Sequence, residues 1–270
     1  MSIRDNESDY LTITTNGSLI NRDELDYIAS LGFERVMLSI SVDSLSGEIH
    51  DRFRHFDGAF KMATNALKIT SEYYDKGIVA SMKTVILPDT INDMEEFVKL
   101  ALKLGCKRIS FMSVISSGKA TQREDLWLNP QQKRRFLEEI YRLKSVYTDI
   151  NVTTNDPLKC IVRGYSDISD NEDELIFDGC PAATVAFNVN SDGVMTPCPL
   201  LDVPMMNMFK LSMLEIEESY ITSPIVKDML EMNLAGKCGE CSKKYQCGGC
   251  RARALAQNND LMGEDPECWI

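Results

Sequence analysis

Cys238-Gly239-Glu240-Cys241, then five residues (Ser242 to Gln246), then Cys247-Gly248-Gly249-Cys250, with Cys268 after seventeen more, is the stretch that decides how this chain is read. A CxxC pair sets two thiolates on one tight turn, which suits a single metal ion or two corners of a cluster. A zinc ribbon is the competing arrangement. Ribbons usually part their two pairs by about 15 to 20 residues so that two hairpins can face each other. Five residues are short for that, so iron–sulfur ligation is the preferred reading, with zinc the alternative. Between 236 and 253, five bases (Lys237, Lys243, Lys244, Arg251, Arg253) stand against one acid, Glu240. Nearby cations would stabilise a thiolate-ligated cluster and raise its potential.

Working outward, Cys180, Gly193 and Cys198 form a second signal, with the glycine placed to turn a hairpin through Asn190-Ser191-Asp192-Gly193 and the cysteine on its return strand. The chain has nine cysteines in 270 residues, none before Cys106 and seven between Cys180 and Cys268. A reducing cytoplasm disfavours disulfides, so a clustered set points to metal binding or chemistry. Hydrophobic residues make up 44% and charged residues 26%, ordinary globular usage that permits a buried core. Acids outnumber bases by 41 to 29, which argues against a general nucleic-acid-binding surface. No apolar stretch is long enough to span a membrane, and the polar, acidic start does not read as a signal peptide, so a cytoplasmic location is expected.

Before the cysteine-rich part, strand-like and helix-like segments alternate. Tyr10 to Thr14, Arg35 to Val42, Ile78 to Leu87 and Lys107 to Val114 read as strands, with Asn151 to Thr154 as a fifth. Helices are expected from Asn21 to Gly32, from about Gly58 to Asp75, from Asp93 to Leu104, and from Asn129-Pro130 to about Tyr147. Alternation of this kind implies right-handed βαβ units and a parallel sheet. The pattern breaks near Pro157, and Ser166 to Asp178 is acidic and loop-like. The expected division is therefore 1–156 and 157–270.

The seven cysteines from Cys180 to Cys268, with the glycine at 193, resemble those of a radical S-adenosylmethionine (radical SAM) protein carrying a C-terminal SPASM domain. The two-residue gap between Cys247 and Cys250 is the spacing of the heme-biosynthetic members. Thr15-Asn16-Gly17 is similar to the family's turn after the third strand, and Ser39 to Asp43, His50-Asp51 and Arg54 to its fourth strand and HDxxR segment. Ser117-Gly118-Lys119-Ala120 resembles the segment after the sixth strand. The fold class this implies is α/β: an incomplete parallel (β/α) radical-SAM-type partial barrel at 1–156, followed by a small cysteine-rich α+β SPASM domain at 157–270. The family's CxxxCxxC loop and GGEP-like turn have no counterpart in these residues. The chain thus resembles the C-terminal two-thirds of such a protein, without the cluster that cleaves SAM.

The resemblance implies one or two auxiliary 4Fe–4S clusters held by interleaved ligands. Cys238, Cys241, Cys247 and Cys268 would hold one, and Cys180, Cys198 and Cys250 three irons of another whose fourth position is open to substrate, water or a further ligand. SAM enters only if the missing part is supplied, with Ser41 and Arg54 as its candidate contacts; no catalytic residue is assigned. Expected substrates are a peptide or a tetrapyrrole, with Cys247 to Ala254 favouring the tetrapyrrole branch. A partner chain completing the barrel, or a homo-oligomer through the edge strand Tyr10 to Thr14, is a further expectation. The alternative is a non-catalytic iron–sulfur or zinc scaffold that docks a peptide or a catalytic partner. Structural roles are expected for Asn16 (turn), Asp43 (polar lining), His50 (loop hydrogen bond), His55 (surface) and Cys106 (buried), and flexible packing for Met205 to Met208. Cys160 stands alone near the linker, with a spare-ligand role as its minor alternative.

Overall fold

A computed structural model describes residues 10–162 and 179–270; the acidic stretch read as a loop at 166–178 lies outside the described residues. The chain divides into two compact units, residues 1–113 with 138–155, and residues 114–137 with 156–270.

The first unit carries five parallel strands in the order β1 (Tyr10–Thr15), β2 (Arg35–Ser41), β3 (Ile78–Ile86), β4 (Arg108–Ser113) and β5 (Asn151–Thr153). Their register sorts the side chains by face. One row runs Ile40, Met82, Ile109, Val152, all buried. The alternate rows run Ser39, Ser81, Arg108, Asn151 and Ser41, Lys83, Ser110, Thr153. Period-two alternation has thus made one apolar and one polar face. Helices α1 (Arg22–Ser30), α3 (Ala59–Ser71) and α4 (Met94–Lys103) follow β1, β2 and β3, and their buried residues include Leu25, Leu67 and Phe97. Tyr10, Arg35, Val79, Arg108 and Asn151, one from each strand, line a single pocket.

Local chemistry sets these elements. Asn21 Oδ1 accepts the Glu24 amide at 3.1 Å and starts α1, while the Asn16 side chain accepts the Ser18 amide at 3.0 Å as a turn residue does. Gly17 has φ +81°, and a Cβ there would meet Ala66 Cβ and Ile40 Cγ2 at 3.0 Å. Glycine at this turn permits both the left-handed backbone and the close approach of α3 to β2. Helix α2 (Gly47–Arg54) was not legible in the sequence, and α3 is shorter than expected, ending at Ser71.

In the second unit, β6 (Asn188–Val189), β7 (Val194–Thr196) and β8 (Met206–Asn207) form an antiparallel sheet. The expected hairpin is present: Asn190 Oδ1 accepts the amides of Asp192 and Val194, and Gly193 turns with φ +78°. The methionine run supplies the third strand, and Met205 packs beside Cys180 and Cys198. Residues 114–137, placed by sequence in the first part, belong to this unit. Ser117 Oγ donates to Leu200 O at 2.9 Å, and Gln257 Nε2 to Ser116 Oγ at 3.2 Å. Among the described residues no helix is long and apolar enough to cross a membrane.

Candidate metal centre

The cysteine run folds as two short helices, α9 (Gly236–Glu240) and α10 (Lys244–Cys247), followed by α11 (Arg251–Asn258). Cys238, Cys241, Cys247 and Cys268 line one cavity, together with Leu158, Ile161, Leu234 and Ile270. Backbone amides point at three of the sulfurs: Lys243 N at 3.3 Å from Cys241 Sγ, Gly249 N at 3.3 Å from Cys247 Sγ, and Asp265 N at 3.4 Å from Cys238 Sγ. A thiol is a weak acceptor and a thiolate a strong one, so amides aimed at sulfur suit a ligated thiolate. Cys160, on α6 (Lys159–Val162), is buried and hydrogen-bonded to Cys247, which places it beside this cavity.

The other three cysteines form a second group. Cys180 and Cys198 pack together with Ala182, Ala183, Val226 and Met229, and Cys198 also packs with Cys250 and Leu201. Burial pushes all three thiols up, Cys250 to about 11, and their negative charges reinforce it: that of Cys198 at Cys180, of Cys250 at Cys198, and of Cys180 at Cys250. The Leu200 amide lies 3.5 Å from Cys198 Sγ. Between the groups, Gly248 (φ +66°) and Gly249 (φ +60°) both adopt the left-handed conformation, reversing the chain so that Cys247 faces one group and Cys250 the other. Among the described residues no three His, Cys, Asp or Glu side chains are gathered closely enough to hold one metal ion. The donor chemistry is nonetheless that of a thiolate-bound group: soft sulfur ligands, little water and amides directed at sulfur.

Beneath the thiols lies a charge network with no counterpart in the sequence reading. Arg253 is fully buried and forks onto Asp265 (Nε–Oδ1 3.0 Å, Nη2–Oδ2 2.7 Å) and Asp156 (Nη1–Oδ2 2.8 Å). Lys133, also fully buried, lies 2.7 Å from Asp156 and 2.8 Å from Glu267. Asp265 in turn accepts the Cys250 amide at 2.7 Å while its own amide faces Cys238, so one residue touches both cysteine groups. Burial pushes Asp156 up, but Arg253 and Lys133 outweigh it and hold the carboxyl well below the usual range. At Glu267 the balance goes the other way, and burial leaves the pKa raised.

In the first unit, Ser41 is half-buried at the end of β2, and Arg54 ends α2. Arg54 pairs with Asp43, which also accepts the Val85 amide at 3.2 Å; Arg54 Nε has no partner. Asp51 accepts the amides of Gly58 (2.7 Å) and Phe60 (2.8 Å), capping α3. The His50 ring is buried against Phe60, and its Nδ1 accepts the Asp43 amide at 3.1 Å. The segment from Asp43 to Phe60 is therefore a lock on the β2–α3 connection. Cys106 is a buried thiol pushed by desolvation up to about 12.

His50 gives this lock a pH dependence. Burial lowers its pKa, the positive charge of Arg54 adds to this, and the negative charges of Asp43 and Asp51 oppose it. The folded state therefore favours neutral imidazole, which alone can accept at Nδ1. Its contribution is full above the unfolded value of about 6.5 and is lost as pH falls from there through the lower folded value. The two histidines are distinguishable by NMR, since His55 is exposed. His50 is expected to titrate below about 6.5, with exchange of the Asp43 amide accelerating over the same range. A midpoint above about 6.5 would refute the assignment.

With this geometry in hand, the chain compares with known proteins as follows. Residues 2–101 match the radical SAM superfamily profile. An AdoMet-dependent heme synthase of Methanosarcina barkeri is 26% identical over 266 residues, covering 96% of this chain and 74% of the relative. The antilisterial bacteriocin subtilosin biosynthesis protein AlbA of Bacillus subtilis is 22% identical over 255 residues, covering 92% of this chain and 52% of that protein. Among solved structures, Streptococcus suis SuiB bound to its precursor peptide SuiA superposes with a TM-score of 0.71 at 17% identity, covering 96% of this chain and 58% of SuiB. The first unit accordingly has the fold of a radical SAM partial barrel.

Proposed function

We propose that this chain is the auxiliary-cluster-bearing portion of a radical SAM enzyme that modifies a peptide or a tetrapyrrole. The supporting observation is the separation of seven cysteines into two groups, Cys238, Cys241, Cys247 and Cys268 around one cavity and Cys180, Cys198 and Cys250 packed in another place. In this reading the first four thiolates hold one 4Fe–4S cluster and the trio holds three irons of a second, leaving one iron open to a substrate group. Bound clusters would supply one-electron transfer and, at the open iron, a Lewis-acidic contact. The chain's own residues position and shield: amides of Leu200, Lys243, Gly249 and Asp265 stabilise thiolate sulfur, and the side chains of Leu158, Ile161 and Leu234 restrict water. Ser41 and the unpartnered Nε of Arg54 are the proposed contacts for SAM.

The likeness to a heme synthase, and to SuiB bound to a precursor peptide, supports a tetrapyrrole or a peptide as the substrate class. Because no cysteine precedes Cys106, we assign these 270 residues no SAM cleavage of their own. Anaerobic reconstitution with iron and sulfide is expected to give a brown protein with broad visible charge-transfer absorption. With dithionite and SAM it should release no 5′-deoxyadenosine above a protein-free control. A colourless preparation that takes up zinc in preference to iron would overturn the cluster reading, and clear turnover of SAM would overturn the division of labour.

A further inference from the structure

Of the five bases around the cysteine run, Arg251 has the least ordinary surroundings. Its side chain is fully buried. Nη1 donates to the carbonyls of Leu261 (3.1 Å) and Gly263 (2.6 Å), whereas Nε and Nη2 have no acceptor and no carboxylate pairs with the guanidinium among the described residues. Arg253, two residues on, is fully buried too but is saturated by Asp156 and Asp265. Asp265 lies at the same Gly249 turn, but its oxygens are engaged by Arg253, and a buried cation with no anion in contact is costly. Such a group implies an anion that completes its surroundings.

Its position says which anion. Arg251 follows Cys250 at the start of α11, one step past the turn whose Gly249 amide lies 3.3 Å from Cys247 Sγ. A Cβ on Gly249 would lie 2.7 Å from Arg251 Nη2, so the guanidinium rests against the turn that separates the two groups. We propose that Arg251 is the shared counter-charge of both cysteine groups in their metal-loaded, anionic state, and couples the two centres electrostatically. This rests on the iron–sulfur reading above. A thiolate-ligated 4Fe–4S centre gains negative charge on reduction, so a fixed cation beside it raises its potential. One cation between two centres raises both.

The test uses the full chain, reconstituted anaerobically, with redox titration followed by electron paramagnetic resonance. Arg251→Gln should shift the midpoints of both centres to more negative potential, and Arg251→Lys, which keeps the charge, should shift them far less. In a Cys180→Ala, Cys198→Ala background the remaining centre should still respond to Arg251→Gln. Metal-free protein supplies the second readout. There the lone cation has no anion to offset it, so metal-free Arg251→Gln should unfold at the same or higher urea concentration than the parent, whereas the loaded variant should lose iron faster to a chelator. Unchanged midpoints, or a shift confined to one centre, would overturn the shared role. A metal-free variant clearly less stable than the parent would make Arg251 a strut for the 261 and 263 carbonyls instead. Failure of the parent reading shows separately, as a parent protein that takes up no iron.

Discussion

If the chain holds the two proposed four-iron centres, replacing Cys180 and Cys198 together by alanine is expected to cut the iron of the reconstituted chain from about eight to about four atoms. The remaining absorption should belong to the cavity lined by Cys238, Cys241, Cys247 and Cys268. The reciprocal variant, Cys238→Ala with Cys268→Ala, should abolish that centre and spare the other, since no thiol of the trio lines the cavity. The reciprocity is what a mere folding defect would not reproduce, because a collapsed second unit would lose both centres in either variant. The turn at Gly248-Gly249 makes the division possible: with both residues left-handed, Cys247 and Cys250 leave a single bend toward different neighbours. Alanine at Gly249 would have to enter a strained backbone region and meet Arg251 and Asp265, so it should impair both centres. Full iron retention in the Cys180, Cys198 double variant would remove those residues from the ligand set.

The parallel sheet was legible because its signals are local. Aliphatic and β-branched runs mark the strands, and Gly32, Gly77 and Gly105, all with positive φ, sit where the sequence read stops. Helix α2 escaped because Gly47 to Arg54 is short, opens on glycine and is largely charged, and its stability comes from the buried His50 and from its Ser46 cap. The two-residue strand β8 carries no periodicity at all, and only its pairing with β7 defines it. At the site, spacing alone paired Cys238 with Cys241 and Cys247 with Cys250, and the interleaved grouping was only what the family resemblance implied. Spacing could not announce Lys133 and Asp156, which lie 120 and 97 residues from Arg253, by subtraction of their positions. Asp265 and Glu267 read in sequence as ordinary acids near a C-terminal cysteine, and Arg251 and Arg253 as equivalent bases. Burial separates them, leaving one arginine saturated and the other without an anion. The chance of finding this from sequence was small, because a charged residue gives no local sign that it will be buried.

Arg253→Met is expected to be among the most destabilising single substitutions in the second unit, costing about 3–5 kcal/mol, as removal of one partner from a buried charge network does. Against a total stability of about 5–15 kcal/mol, that loss brings a marginal fold close to its limit. The variant removes Arg253 from Asp156, Asp265 and Glu267, leaves Lys133 against Asp156 and Glu267, and strips Asp265 of the fork that holds it against the Cys250 amide. As an internal control, Arg22→Met removes an ion pair with Glu72 in which both side chains are about half exposed, and should leave the urea midpoint nearly unchanged. The deficit should also depend on pH, with a sign that can be stated. In the parent, Asp156 is held low by Arg253 and Lys133, so its contribution is present above about pH 4 and is lost as pH falls through its folded value. Without Arg253 the carboxylates repel one another uncompensated, and taking up a proton relieves them. Their folded pKa values therefore rise, the variant binds protons on folding, and its deficit relative to the parent shrinks as pH is lowered from about 8 to 5. Urea unfolding of the metal-free proteins under reducing conditions, followed by circular dichroism at both pH values, measures the difference. A loss below about 1 kcal/mol, or a deficit that grows toward acid pH, would mean that Arg253 does not hold the three acids together.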